Sequence, residues 1–370
     1  MVRYLLPRIL LPLLLLIGVE MAFRLGAWEP MAARDSHSGT SIRAKQAVLA
    51  HPGPIDFITL GSSRAEYGFD HELIHGHARD RGITHLNLSQ PGSHWLSITT
   101  ISAWVRKRHP ELKGGVIGLS YLDFQYPFNG SYELAIAQPF RPLFQQPALY
   151  RYQFDPNQKD SYGTWSALLA YRSDIRNYLE HPGPRPTPNT WFTENKPWRF
   201  DDNPETDRDV CAMPWTSIEQ CLATNPNDEA QTRFVNSCKA FAPSHERADW
   251  SKLGADEALD ADRAQAQSVI RQAIRDLDWP TPPVIVLLPT THHWRESISP
   301  IGAHEWALRI LEPLAQRGEI VLIDRSGSFD EQGKTRCDVF IDLHHQNGKG
   351  ARELTEQLLP DLDRNLYSKP

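Results

Sequence analysis

The sequence has no excess of positive charge. Its 39 lysines and arginines are outnumbered by 45 aspartates and glutamates, for a net charge of -6. A dedicated nucleic-acid binder carries the opposite balance, so nucleic acid is not expected as a partner. Long apolar runs are missing beyond the amino terminus, and a mean hydropathy of -0.47 excludes a multi-span membrane protein. Cysteine is scarce. The four residues are Cys211, Cys221, Cys238 and Cys337, and no pair has the Cys-x-x-Cys spacing of a zinc site. There is no internal repeat and no low-complexity tract. What is present is a globular composition, 40% hydrophobic and 23% charged. The 370 residues suffice for one large domain or two. Tryptophan is frequent, with 11 residues, which suits carbohydrate stacking and core packing alike.

The amino terminus sets the expected compartment. Residues Tyr4 to Phe23 read YLLPRILLPLLLLIGVEMAF, with an uncharged heart from Ile9 to Val19. With its flanks the segment reaches about twenty residues, enough to cross a hydrocarbon layer of roughly 30 Å. Arg3 and Arg8 precede the heart, so the positive-inside bias keeps the amino terminus cytoplasmic and exports the rest. The expectation is a single-pass anchor in a bacterial inner membrane, residues 1–29, with the remainder in the periplasm. Secretion after signal cleavage is the alternative, but Ala27 has Leu25 at the −3 position and Ala33 has Met31, neither a small residue. A buried core helix is the third reading. Export makes disulfides the expected state of the cysteines. Cys211–Cys221 closes the shortest loop and would leave Cys238–Cys337.

Residues 30–53 are polar and read as a linker. A strand–helix alternation follows. The strands are Ile55–Leu60, His85–Ser89, Gly115–Ser120, Pro283–Leu288 and Glu319–Ile323. The helices are Asp70–Arg81, Ser93–His109, Ala255–Leu277, Ile301–Arg317 and Gly348–Leu366. Near-continuous apolar strands alternating with helices predict a parallel sheet covered on both faces, with sites in the loops after the carboxyl ends of the strands. The α/β domain therefore spans 54–123 and 251–370. Residues 124–250 break the rhythm and read as one long insertion, helical near Trp165 to Leu179. It carries Trp165, Trp191, Trp198, Trp215 and Trp250, which could form a sugar platform or be buried in a small stapled subdomain.

Two loops carry chemistry. The first, Leu60-Gly-Ser-Ser-Arg-Ala-Glu-Tyr-Gly68, follows strand one. A serine at a strand-to-helix turn is an exposed hydroxyl that needs an adjacent base to become a nucleophile, or it is a helix cap. Arg64 could bind a carboxylate or phosphate of a substrate, or pair with Glu66. Tyr67 reads as packing. The last loop, Asp342-Leu-His-His345-Gln-Asn-Gly-Lys-Gly350, follows the last strand. An Asp three residues before a His can orient the imidazole and stabilise its charged form. Alternatively, Asp342 caps the last helix and the histidines are solvated. His344-His345 and His292-His293 could also ligate metal, but no Asp or Glu is spaced with them as in familiar ligand sets, so no metal is expected.

Together these blocks resemble the SGNH/GDSL hydrolase superfamily. Gly61-Ser62-Ser63 stands where the family has Gly-Asp-Ser. In this it resembles a membrane-anchored branch that acts on acyl esters of envelope polysaccharides. The resemblance implies a flavodoxin-like three-layer α/β sandwich with strand order 2-1-3-4-5. It makes Ser63, not Ser62, the nucleophile, His345 the base and Asp342 its orienting partner. The backbone N–H of Ser63 and of Gly92, in Asn87-Leu-Ser-Gln-Pro-Gly92, would hold the oxyanion. Asp342-x-x-His345-x-Asn347-x-x-Gly350 follows the family's last block, with Gln346 in place of Leu. In the third block, Gly118-Leu-Ser120-Tyr-Leu-Asp123, Ser120 stands where the family's Asn donates to the oxyanion, and losing one such donor costs about 10²–10³ in rate. The implied activity is that of a serine esterase or O-acyltransferase on a cell-envelope or exported polysaccharide. No cofactor is implied, and a membrane acyltransferase is a candidate partner. The alternative is a catalytically weak scaffold of a polysaccharide assembly.

The topology is testable on the sequence alone. A reporter active only in the periplasm, fused after Pro370, is expected to be active. Activity of a cytoplasmic reporter at that position instead would remove both the export and the disulfide expectations.

Overall fold

The computed structural model describes residues 2–33, 36–124, 130–141, 159–183, 218–228, 231–232, 235–236, 238–239, 261–299, 301–332, 334–336 and 338–368. The chain divides into two compact units. A helical unit takes Met1–Pro52, Gly92–Arg108 and Phe128–Asn195, and a sheet unit takes Gly53–Pro91, His109–Pro127 and Lys196–Pro370.

In chain order the elements are α1 (Val2–Arg24), α2 (His37–Ala50), β1 (Phe57–Gly61), α3 (Ser63–Gly68), α4 (His71–Arg79) and β2 (His85–Asn87). Next come α5 (Trp95–Arg108), β3 (Gly114–Leu119), α6 (Gly130–Ala137), α7 (Ala167–Ala170), α8 (Arg172–Glu180) and α9 (Ile218–Ala223). The chain then forms α10 (Ala261–Leu277), β4 (Val284–Leu287), α11 (Ala303–Gln316), β5 (Val321–Asp324) and α12 (Gly348–Leu362). A short antiparallel pair, β6 (Asp330–Glu331) and β7 (Lys334–Thr335), lies between β5 and α12.

The sheet unit is α/β. Its five strands are all parallel, in the order β2-β1-β3-β4-β5, which is the order of a flavodoxin-like sheet. The three inner strands are buried along their whole length, as a parallel strand covered on both faces must be. One core cluster joins Phe57, Val116, Val284 and Val286 of the sheet to Ala65, Phe69 and Ile74 of the α3–α4 segment. The same cluster takes Leu354, Leu358 and Leu362, a stripe at four-residue spacing along one face of α12. Each such leucine contributes about 1.5–3 kcal/mol by burial. Asp70 caps α4 by accepting from the Leu73 N–H at 2.9 Å, and Asn347 caps α12 by accepting from the Gly350 N–H at 2.9 Å.

The described elements of the helical unit are helical. Residues 30–53, expected as a linker, contain α2, capped by the Ser36 side chain on the Gly39 N–H at 3.0 Å. The polar composition misled because its buried face is made of small residues, Ser38, Gly39, Thr40, Ser41 and Ala44 around Ile42. Small side chains allow helices to approach without a conspicuous apolar stripe. The carboxyl-terminal end of α1 is tied into the unit. Glu20 accepts from the Ser166 hydroxyl at 2.8 Å and the Ala167 N–H at 2.8 Å, and Arg24 pairs with it at 2.7 Å. The Phe23 ring stacks on Trp28 at 5.5 Å. Upstream, Leu10, Leu11, Leu13 to Ile17 and Val19 are exposed. Among the described residues no helix is long and apolar enough to cross a membrane; the side chains of residues 1–7 and of Ile9 lie outside that description.

Cys221 pairs with Cys238, Cα to Cα 6.5 Å. The expected Cys211–Cys221 and Cys238–Cys337 pairings are thereby replaced. Minimal loop length carried that expectation, whereas a bridge forms where the fold brings two cysteines together. Cys211, Cys337 and most of the 124–250 insertion, with Trp191, Trp198, Trp215 and Trp250, lie outside the described residues. Trp165 is exposed.

The turn out of β1 rests on Gly61. Its φ is +146°, and a Cβ there would lie 2.4 Å from the Gly118 carbonyl oxygen and 2.5 Å from the Ala65 methyl. Gly61→Ala combines a disfavoured backbone with a collision against β3. It is expected to cost about 2–4 kcal/mol in urea unfolding. A loss under about 0.5 kcal/mol, the scale of an ordinary surface change, would show that the close approach is unimportant.

Candidate active site

The loop after β1 and the loop before α12 both lie at carboxyl ends of parallel strands and meet. The two adjacent serines divide their work. Ser62, 3% exposed, is the N-cap of α3, its hydroxyl accepting from the Arg64 N–H at 3.3 Å. Ser63, one position on, directs its hydroxyl to His345 Nε2 at 2.8 Å. His345 Nδ1 lies 2.7 Å from Asp342 Oδ2. A carboxylate only accepts, so Nδ1 carries the ring proton and Nε2 is left to accept from the Ser63 hydroxyl.

Asp342 does not cap α12. Its Oδ1 accepts from the backbone N–H groups of His344 at 2.9 Å and His345 at 2.8 Å. Burial opposes its charge, but the His345 and His344 rings and these donors hold the carboxyl well below its usual range. Burial also pushes His344 far below an ordinary imidazole, and the neighbouring His345 adds to this. A neutral His344 is therefore a packing surface. Its ring lies 4.0 Å from that of His345 and 4.4 Å from Trp294. Tyr67 covers His345 at 4.8 Å, which is the packing role expected of it.

The loop is pinned at several points. Ile341 N–H donates to the His345 carbonyl at 3.0 Å and Asn347 N–H to the Val339 carbonyl at 3.0 Å. The Thr291 hydroxyl donates to the Leu343 carbonyl at 2.7 Å. Gln346 Nε2 donates to the Pro289 carbonyl at 2.6 Å. The sequence marked Gln346 only as a departure from Leu; here it fastens the histidine loop to the loop after β4. Nothing in a linear reading pairs residue 346 with 289.

The third block is organised around Asp123. It is 1% exposed. Its Oδ1 takes Arg64 Nη1 at 2.8 Å, and its Oδ2 takes the Ser120 N–H at 2.7 Å and the Ser120 hydroxyl at 3.3 Å. Arg64 is thus paired with Asp123 rather than Glu66. Its Nε is buried without a hydrogen-bond partner among the described residues. As arranged, the Ser120 proton points at Asp123, so donation to an oxyanion requires the hydroxyl to rotate. In the sequence Asp123 stands in the third block with no assigned role, because its burial and its partners are visible only in the fold. Gly92, the other expected oxyanion donor, belongs to the helical unit and has φ +76°.

Asp342, His344 and His345 also offer metal-ligand atoms within 4.8 Å of one another. The hydrogen bonds of this group hold His345 against Ser63, so a cation bound there would compete with that chain. The other histidine pair is engaged structurally, His292 Nδ1 accepting from the Thr335 N–H at 3.1 Å.

No protein-family model matches the chain, and no curated protein matches it.

The Arg64–Asp123 pair makes a specific stability prediction. Removing one member leaves a buried charge unpaired, which costs about 3–5 kcal/mol. Asp123→Leu is expected to lose that much in denaturant unfolding. The double variant Arg64→Leu/Asp123→Leu is expected to lose markedly less. Equal losses in the two would mean that the pair is not what stabilises this corner.

Proposed function

We propose that this chain is an SGNH/GDSL-type serine esterase or O-acyltransferase that acts on acyl esters of a cell-envelope or exported polysaccharide. The observation that carries the reading is the chain Ser63 hydroxyl to His345 Nε2 at 2.8 Å and His345 Nδ1 to Asp342 at 2.7 Å. This is the nucleophile–base–orienter arrangement of acyl transfer.

The steps follow from that geometry. Ser63 Oγ attacks the ester carbonyl carbon as its proton passes to His345 Nε2. The tetrahedral oxyanion is held by the Ser63 N–H, which lies in the first turn of α3 and has no carbonyl of its own helix to meet. The resemblance gives the Gly92 N–H and the Ser120 hydroxyl as further donors. Collapse breaks the ester C–O bond, and His345 returns its proton to the departing alkoxide. Water or a sugar hydroxyl then attacks the acyl-enzyme, giving its proton to His345, and Ser63 leaves with that proton restored. Asp342 stays ionised throughout and compensates the imidazolium. Arg64, held beside the nucleophile by Asp123, is the substrate-orienting group of this reading.

The reading includes an inner-membrane anchor at residues 4–23, a periplasmic body and a membrane acyltransferase as donor partner. The uncleaved form is favoured by the contacts of Glu20, Phe23 and Arg24 with the helical unit, which cleavage at Ala27 would discard. A scaffold role is the second reading, favoured by the Ser120 hydroxyl being turned onto Asp123.

A serine-directed phosphonate is expected to label Ser63, and His345→Ala to abolish labelling. On a chromogenic acetyl ester, Asp342→Asn is expected to lower kcat by about 10⁴ through loss of the working tautomer. Activity surviving Ser63→Ala, or absence of both labelling and turnover in the parent protein, would leave only the scaffold role.

A further inference from the structure

Helix α1 exposes apolar side chains on every side. Residues 10, 11, 13–17 and 19 are leucine, isoleucine or valine, and all are exposed. At about 100° per residue these positions go round the whole helix. A protein partner covers one stripe of a helix, whereas a helix that is apolar all round is surrounded by apolar material. The exposure falls off at Glu20, and there α1 is fastened to the helical unit. Glu20 accepts from the Ser166 hydroxyl and the Ala167 N–H, each at 2.8 Å, and from the Leu168 N–H at 3.3 Å. Arg24 donates to the Trp165 carbonyl. Residues 165–169 are thereby fixed beside the turn of α1 where its exposed apolar surface ends.

That segment is itself apolar on its outside. Trp165 is 55% exposed, and Leu169 is exposed on the first turns after it. Tyr162, whose carbonyl accepts from the Trp165 N–H at 3.1 Å, is exposed as well. Leu25, next along the chain from Arg24, is 71% exposed. Tryptophan and tyrosine concentrate at the boundary between hydrocarbon and headgroups, where an apolar ring with a polar edge is at home. The charges at this depth are matched, Glu20 by Arg24 at 2.7 Å.

We propose that Leu25, Tyr162, Trp165 and Leu169 form a second membrane contact, which seats the base of the helical unit in the lipid headgroup layer around the point where α1 leaves the hydrocarbon. The proposal rests on the anchor reading above and adds to it a surface of the folded body. A tether alone sets only how far the body can stray, whereas a seat fixes its height above the bilayer. Lipid is favoured over a second copy of the chain because a contact between two copies would leave the far side of α1 uncovered.

The test uses the full chain in phosphatidylcholine nanodiscs doped with one of two photoreactive lipids. A diazirine sits near the carboxyl end of the acyl chain in the shallow probe and at its tip in the deep probe, and labelled residues are read by mass spectrometry. The deep probe is expected to label residues 10–19, and the shallow probe to label Leu25 and residues 162–169. The variant Leu25→Asn/Leu169→Asn, at two exposed positions, is expected to lose most of the shallow labelling of Tyr162 and Trp165. Its deep labelling of α1 and its phosphonate labelling of Ser63 are expected to match the parent protein. Deep labelling of α1 without shallow labelling of 162–169 overturns the proposal and leaves the anchor standing. Shallow labelling of Tyr162 and Trp165 that persists in the variant shows proximity through the tether alone and overturns it too. Absence of labelling in α1 with both probes removes the anchor reading, and the proposal with it.

Discussion

The hydrogen bond from Ser63 to His345 spans a sequence separation of 282 residues, and much of the sheet unit exists in a form that allows it. In a parallel sheet every strand ends on the same edge, so the loop leaving β1 and the loop entering α12 can meet without a long excursion. The approach depends on small residues. Gly61 abuts the Gly118 carbonyl and Ala65, which lets α3 start directly at the strand end with Ser63 in its first turn. The neighbouring Ser62 takes over capping, so the helix is satisfied without using the hydroxyl that faces the imidazole.

Two carboxylates organise the site, Asp123 buried and Asp342 partly exposed, and each is satisfied differently. Asp342 is held by two backbone N–H groups and one imidazole, donors that fix a short loop and leave the charge in place when His345 gains a proton. Asp123 is held by a guanidinium, a backbone N–H and a hydroxyl, which fixes the segment after β3 and immobilises Arg64 beside the nucleophile. A buried charge tolerates no loss of its partners, so the same contacts that position the site also make it rigid. The rings of His344 and Trp294, 4.4 Å apart, pack behind it.

The helical unit is assembled from three separated stretches of chain, and it too turns on carboxylates. Glu20 joins the end of α1 to the start of α7, and Glu133 accepts from the Ser97 N–H at 3.0 Å, joining α6 to α5.

The sequence by itself determined the α/β class, the five strands to within a residue or two at most ends, and the two loops that carry serine, histidine and aspartate. These are local or periodic signals: an apolar run, a cap, an Asp-x-x-His spacing. The strand order 2-1-3-4-5 came from a resemblance and is the order the sheet has. The choice of Ser63 over Ser62 came from the same resemblance, and Ser63 is the serine that faces His345. Tertiary structure alone decided that Arg64 pairs with Asp123 and not Glu66, that Gln346 fastens onto Pro289, and that Cys221 meets Cys238. It also turned a polar stretch, read as a linker, into the packed helix α2. Each of these depends on which distant groups the fold brings within a few ångströms, and no spacing along the chain encodes that distance.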